Sequence, residues 1–392
     1  AYGMFLNLQI GRIARLSLVA IIALNAAIWA AFGVSGDVLL CTTMAGLFWA
    51  LSVRQDRLYG VPVELIAGAC AALATFAKPM GFYFSICMIA GTWGLRWIWR
   101  ERGLLESIGR AVTTLAVMAV LIAPWVAVLS SHYGEFTVSR SAGLNHAMLN
   151  PKVTHAWNLP SFTEIHAPRE GRITSWEDPT EVELHEHLNW SMFDSPELQT
   201  RQLQLSALTL IRTRQMLGAI DFTNLGVLCL LLLPAMAWFK PRETHAWRDA
   251  WLSMPAFIAL CAYLPFLVHP RYLWMIWVPC LGAIGVGWQT VDTELKSRAA
   301  GPLAHVALAL LFFAPPGAMA LYELEQAVTT PAYREMEVAR ELAAAVRAEG
   351  VSGPVVSWSP YTSKGFDPEG LYMAWELEQP WLSHIGVQIM VP

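Results

Sequence analysis

Three ionisable residues stand in sequence that is otherwise apolar: Asp37 in VSGDVLL, Lys78 in FAKPM and Arg271 in VHPRYLW. A charge that enters a bilayer is costly, so each of these residues needs a reason to be there. A guanidinium grips phosphate as a planar fork and an ammonium grips it as a point charge. A carboxylate can orient or deprotonate a hydroxyl. The set therefore suits an amphipathic substrate with phosphate at headgroup level and a hydroxylated partner. Each residue also has a plainer role. Asp37 can cap a helix beside Gly36, Lys78 can reach the headgroups on its own aliphatic stem, and Arg271 can anchor an aromatic belt with Tyr272, Trp274 and Trp277. His269 and Tyr272 flank Arg271 as candidate substrate contacts. Asp221, at the start of a later apolar run, is another, with a first-turn helix acid as its plainer role.

The elements that must position these residues are apolar runs at 16–34, 38–53, 61–77, 79–95, 111–130, 219–239, 251–268, 272–290 and 302–322. Several approach the ~20 residues that cross a bilayer core; 38–53 and 61–77 are short. The connections between them alternate in charge. Arg12 and Arg15, Arg54 and Arg57, Arg96 to Arg110, Lys240 to Arg248, and Lys296 with Arg298 fall on one parity; the short connections of the other parity hold only Lys78 and Arg271. Positive charge is retained in the cytoplasm. The expected topology thus has the N-terminal end inside, about nine crossings, and both long polar parts outside.

Composition agrees with that class. The 392 residues are 55% hydrophobic and only 14% charged, where a soluble domain is about a quarter charged. A net charge of -4 argues against nucleic acid as a partner. Cys41, Cys70, Cys87, Cys229, Cys261 and Cys280 all lie in apolar runs, so they read as small buried hydrophobes and not as a disulfide framework. The chain opens at Ala1 as the end of an apolar helix and stops just after the apolar run Ile385–Met390; a fragment at both ends is expected.

Four parts follow: a membrane helical block at 1–130, an extracytoplasmic insertion at 131–218, a second membrane block at 219–322, and an incomplete extracytoplasmic α/β domain at 323–392. Lys78–Pro79 reads as a tight turn between two helices, because proline cannot continue the ladder and restricts the residue before it. The insertion is mildly acidic and rich in turn residues. Its end, from Ser195, reads as a capped helix with Leu198, Leu203, Leu205, Leu208 and Leu210 on one face, suited to a membrane surface. Residues 331–349 read as an amphipathic helix, GPVVSW as a strand and 368–379 as a further helix. The expected fold class is an all-α polytopic membrane bundle of about nine transmembrane helices, with a long extracytoplasmic loop and the start of a small α/β domain.

Weaker signals lie in the insertion. His185 and His187 in ELHEHLNW have carboxylates nearby but no specified third metal ligand. Asn189–Trp190–Ser191 is an N-glycosylation triplet of a kind common by chance, and Glu177–Asp178 precedes Pro179 in a turn.

The stretches ARLSLVAIIALNAAIWAAFGVSGDVLL, AGACAALATFAKPMG, VLIAPWVAVLSSHYG and LPFLVHPRYLWMIWVPCLG, in that order across roughly 12–290, resemble the GT-C membrane glycosyltransferases. The closest group is the bacterial mannosyltransferase-like and aminoarabinose-transferase-like integral membrane enzymes. The matching features are an acidic turn between helices, a Gly/Ala-rich helix ending in Lys-Pro, a Pro-Trp helix end and a late Arg-Tyr helix start. The resemblance implies sugar transfer on the outer face from a polyprenyl-phosphate donor to a glycan, lipid or protein acceptor, in a bacterial inner membrane. Asp37 would line the site, and Lys78 and Arg271 would hold the carrier phosphate. The family's principal catalytic acid would lie ahead of Ala1 and is assigned to no residue here. No cofactor is firmly implied, and a divalent metal is compatible. Two alternatives remain. A transporter or lipid flippase would call for mid-membrane charges, broken helices and repeats; a membrane scaffold would bind cell-envelope partners through its outer part.

Overall fold

The computed structural model describes residues 1–31, 35–139, 190–218, 228–234, 246–263, 274–297, 301–329, 332–350, 355–358 and 381–384. It is mostly helical. The elements are α1 (Tyr2–Asn7), α2 (Arg12–Ala31), α3 (Ser35–Ser52), a hairpin of β1 (Arg57–Leu58) and β2 (Val61–Pro62), α4 (Val63–Ala77), α5 (Met80–Ile98) and α6 (Leu104–Tyr133). They continue with α7 (Pro196–Gly218), α8 (Ala246–Tyr263), α9 (Trp277–Ser297), α10 (Pro302–Thr329), α11 (Ala332–Ala348), β3 (Val355–Trp358) and β4 (Trp381–His384). The chain divides into two compact units, one of Ala1–Val138 with Leu205–Ala327 and one of Ser139–Gln204 with Val328–Pro392.

Among the described residues three helices are long and apolar enough to cross a membrane by length and composition: Leu104–Tyr133, Trp274–Ser297 and Pro302–Tyr322. That is fewer than the nine apolar runs. The helices Val38–Ser52, Val63–Ala77 and Ala250–Tyr263 are shorter, and the 15 residues of α4 reach only about 22 Å against a hydrocarbon core of ~30 Å. By contrast, the 30 residues of α6 extend about 45 Å. Apolar side chains are exposed along it: Val112, Val120, Leu121, Trp125 and Val128 all lie open. Pro124 and Trp125, read in the sequence as a helix end, lie inside α6. The helix runs on until Gly134, whose φ of 69° closes it in the left-handed conformation that glycine adopts without strain.

Local chemistry explains the joints in the first unit. Tyr59 and Gly60 both have positive φ (53° and 82°), the mirror-image turn that matches strand twist in a two-residue hairpin; Arg57 pairs with Pro62 and Leu58 with Val61. Lys78 is extended at φ −156° and ψ 140°, as a residue before proline must be, and α5 starts directly behind Pro79. The reversal expected at Lys78–Pro79 is present. Its tightness rests on Gly81: a Cβ there would lie 2.2 Å from the Ala74 carbonyl oxygen and 2.5 Å from its carbon. Small residues likewise line α4, where Ala67, Ala71 and Ala74 are fully buried, and Gly68 lies under Val117 of α6. Without side chains in the way, helix backbones approach closely. The core continues through Phe48, whose ring meets both Phe84 and Trp251 edge-on at 6.2 Å. Trp251 Nε1 donates to Thr92 Oγ1 at 2.8 Å, so this large buried ring leaves no orphan donor.

In α7 the cap read from the sequence is made: Leu198 N–H donates to Ser195 Oγ at 3.3 Å. The exposed Glu197 carboxyl is held below its usual range by its own backbone N–H and then by Ser195. The single apolar face is not. Leu205 is buried together with Gln202, Thr209 and Thr213, while Leu203, Leu208 and Leu210 are exposed. The cysteines also split. All six are free, with Cys229 and Cys280 buried, Cys41 and Cys70 half-buried, and Cys87 and Cys261 exposed on their helices. In the second unit, α11 matches the expected amphipathic helix, and β3 falls within GPVVSW. Strand β3 pairs with β4 in parallel, with Val355 opposite Trp381 and Trp358 opposite His384. The helix expected at 368–379 lies outside the described residues.

Candidate functional site

Two of the three charged residues that open the argument fall in described sequence. Asp37 is the third residue of α3, and Lys78 is the half-buried residue that ends α4. The fold brings their two turns together. A Cβ on Gly36 would lie 3.4 Å from the Ala77 carbonyl oxygen, so the start of α3 and the end of α4 are in backbone contact. Around Lys78 the main chain is closed on itself: its N–H donates to Ala74 O at 3.1 Å, and its carbonyl accepts from Gly81 N–H at 2.8 Å. This fixes where the Lys78 side chain leaves the backbone. Arg271, His269, Tyr272 and Asp221 lie outside the described residues, as do His185, His187, Glu177 and Asp178. Among the described residues no three His, Cys, Asp or Glu side chains group as metal ligands.

The far ends of the same helices carry a different constellation, missed as a unit in the sequence. Arg110 donates through Nη1 to Glu64 Oε1 at 2.6 Å, through Nη2 to Asp56 Oδ1 at 2.6 Å and through Nε to Glu106 Oε1 at 3.1 Å. Arg102 adds Asp56 at 2.9 Å and Glu106 at 2.7 Å, and Arg54 pairs with Glu101 at 3.3 Å. Arg96 is buried. It donates from Nη2 to the Leu51 and Val53 carbonyls at 2.9 and 2.6 Å, satisfying the last turn of α3, and its guanidinium stacks 4.7 Å from the Trp93 ring.

These contacts gather the basic connections at one end. Segments 54–62 and 96–110 meet through the ion pairs just given. Asn7 Nδ2 donates to Ser52 Oγ at 2.9 Å, and Arg248 Nη1 donates to Asn7 O at 3.1 Å, which ties in the N-terminal segment and the first turn of α8. Near the fifth connection, Asp292 joins Lys296 at 2.5 Å and His305 Nδ1 at 2.7 Å, and Trp288 on the same helix lies over Gly11. Among the described residues, Arg54, Arg96, Arg102, Arg110 and Arg248 thus lie toward one end, and the Asp37 and Lys78 turns lie at the other ends of α3 and α4. The signal for the acidic half of the cluster was Asp56, Glu64, Glu101 and Glu106, spaced among the arginines and left unused by the charge count.

Comparisons with protein-family models, with curated proteins and with solved structures found no match. The chemistry of the two ends therefore rests on the residues themselves. At one end Arg54, Arg96, Arg102 and Arg110 are engaged by carboxylates and backbone carbonyls. The other brings an acidic turn and a lysine turn from separate helices into backbone contact.

Proposed function

We propose that this chain is part of an inverting membrane glycosyltransferase of the GT-C kind, taking a sugar from a polyprenyl-phosphate donor and passing it to an acceptor hydroxyl on the extracytoplasmic face. The observation that carries the reading is the contact between the Asp37 and Lys78 turns, 3.4 Å between a Gly36 Cβ position and Ala77 O, away from the basic connections. The accompanying topology has about nine crossings, the clustered arginines in the cytoplasm and 131–218 and 323–392 outside, in a bacterial inner membrane. The segregation of basic connections supports that orientation, and the exposed apolar face of α6 supports contact with lipid.

In this reading the acceptor oxygen attacks the anomeric carbon while the bond to the carrier phosphate oxygen breaks. The acceptor proton passes to a carboxylate, for which Asp37 is a candidate. Lys78, with Arg271, meets the negative charge that develops on the departing lipid phosphate, where preorganised positive charge has its largest effect. Segment 131–218 would cover the site and select the acceptor.

The test is sugar transfer in proteoliposomes from a panel of polyprenyl-phosphate sugars, comparing the wild type with Lys78→Ala and Arg271→Ala. Loss of transfer in both folded variants is the expected result. Unchanged turnover in both sinks the assignment, and lipid movement without sugar transfer would replace it with the transporter reading.

A further inference from the structure

The end that carries the arginine cluster holds a second feature that the ion-pair network does not explain. Between the end of α5 and the start of α6 lies a shallow depression lined by Trp97, Arg100, Glu101, Arg102, Leu104 and Glu106. Both carboxylates in it are already engaged, Glu101 by Arg54 and Glu106 by Arg102 and Arg110. Arg54, Arg96, Arg102 and Arg110 are each paired to a carboxylate, whereas none of the ion pairs among the described residues involves Arg100. Arg100 is exposed and sits at φ 57°, a conformation that glycine or asparagine would hold with less strain. Across 54–64 and 96–110 six arginines face four carboxylates (Asp56, Glu64, Glu101 and Glu106), so the patch keeps an excess of positive charge.

The lining of the depression is largely charged, and exposed apolar side chains border it. Trp97, Ile98, Leu104 and Ile108 are about half exposed and Leu105 is 85% exposed. They lie where the exposed apolar surface of α6 begins. Tryptophan and arginine close together just ahead of the start of the long apolar α6 are the residues of the headgroup layer.

We infer that the Trp97–Glu106 depression binds the headgroup of an anionic phospholipid, with Arg100 on the phosphate and the Trp97, Leu104 and Leu105 side chains against the first part of the acyl chains. The occupant follows from complementarity. The free charge is positive, so an anionic headgroup is preferred over a zwitterionic one, and the apolar rim continues into the bilayer, which a soluble anion would leave uncovered. The inference rests on α6 entering a bilayer and does not depend on sugar transfer.

Native mass spectrometry of the full chain, released from detergent with equal amounts of phosphatidylglycerol and phosphatidylcholine, tests it. The wild type is expected to retain phosphatidylglycerol several-fold over phosphatidylcholine. Arg100→Gly removes the guanidinium and suits the positive φ, so it should fold at least as well and lose the preference; Arg100→Gln should lose it too, and Arg100→Lys should keep it. Equal retention of the two lipids by the wild type overturns the proposal, as does an undiminished preference in Arg100→Gly and Arg100→Gln. Displacement of the lipid by millimolar inorganic phosphate would also overturn it, by giving the site to a soluble anion. No sugar donor is present, so this result and the transfer assay fail independently.

Discussion

The two ends of the α3–α6 bundle are built on opposite principles. At one end Arg96 satisfies the last carbonyls of α3, and Arg110 bridges three carboxylates from the hairpin, α4 and its own helix. Charge there is spent on holding segments together. At the other end the helices meet through glycine and alanine backbone, Gly36 against Ala77 and Gly81 against Ala74, with Asp37 and Lys78 beside those contacts. The comparison also separates how each end should fail: the backbone-packed end sterically, the arginine end electrostatically.

The largest effect is expected from adding bulk at the close approach. Gly81→Val should abolish recovery of folded protein, and Gly81→Ala should cost about 2–3 kcal/mol, because the Cβ meets backbone that can yield only by parting α4 from α5. The thermal midpoint and monodispersity of the detergent-solubilised chain measure both. At the other end Arg110→Ala should cost about 3 kcal/mol, since it strands Glu64, whose side chain is only 10% exposed. Adding Glu64→Gln to Arg110→Ala should recover part of that loss, whereas a purely steric role for Arg110 would leave the double variant no better. Arg96→Lys should cost about 1.5–3 kcal/mol through lost charge-assisted bonds to the carbonyls, with the charge itself retained. Smallest is Gly109→Ala in α6. A Cβ there meets nothing within 4 Å, so the substitution should stabilise the protein by about 1 kcal/mol through helix propensity alone. Equal losses in Gly81→Ala and Gly109→Ala would erase the distinction between the two kinds of contact.

Much of this was legible in the chain. The apolar runs locate α2 to α6 and α8 to α10, and Lys78–Pro79 marks the reversal because proline's chemistry is local. Alternating charge anticipates the clustering of Arg54, Arg96, Arg102, Arg110 and Arg248 at one end, since the parity of successive helices carries that information. What was not legible depends on pairings at long range. Arg110 meets Glu64 and Asp56 across 46 and 54 residues, and nothing in their spacing announces it. The exposure of Cys87 and Cys261, and the division of the α7 leucines, depend on which helix face packs inward; apolar content alone does not specify a face when most of a helix is apolar. The shortness of α4 follows from Pro62 and Pro79 at its borders, but its consequence for crossing a membrane depends on length measured along the helix.

The central claim is that the Asp37–Lys78 end, and not the arginine end, holds the carrier phosphate. Photo-crosslinking of a polyprenyl monophosphate to the full chain, followed by peptide mapping, tests it most directly. The predicted result is labelling within 35–40 and 77–83, reduced at least about tenfold by Lys78→Ala, a change of ~1.4 kcal/mol in binding, and unaffected by Arg100→Gly. Labelling confined to 96–110, or labelling at 77–83 indifferent to Lys78→Ala, would contradict it.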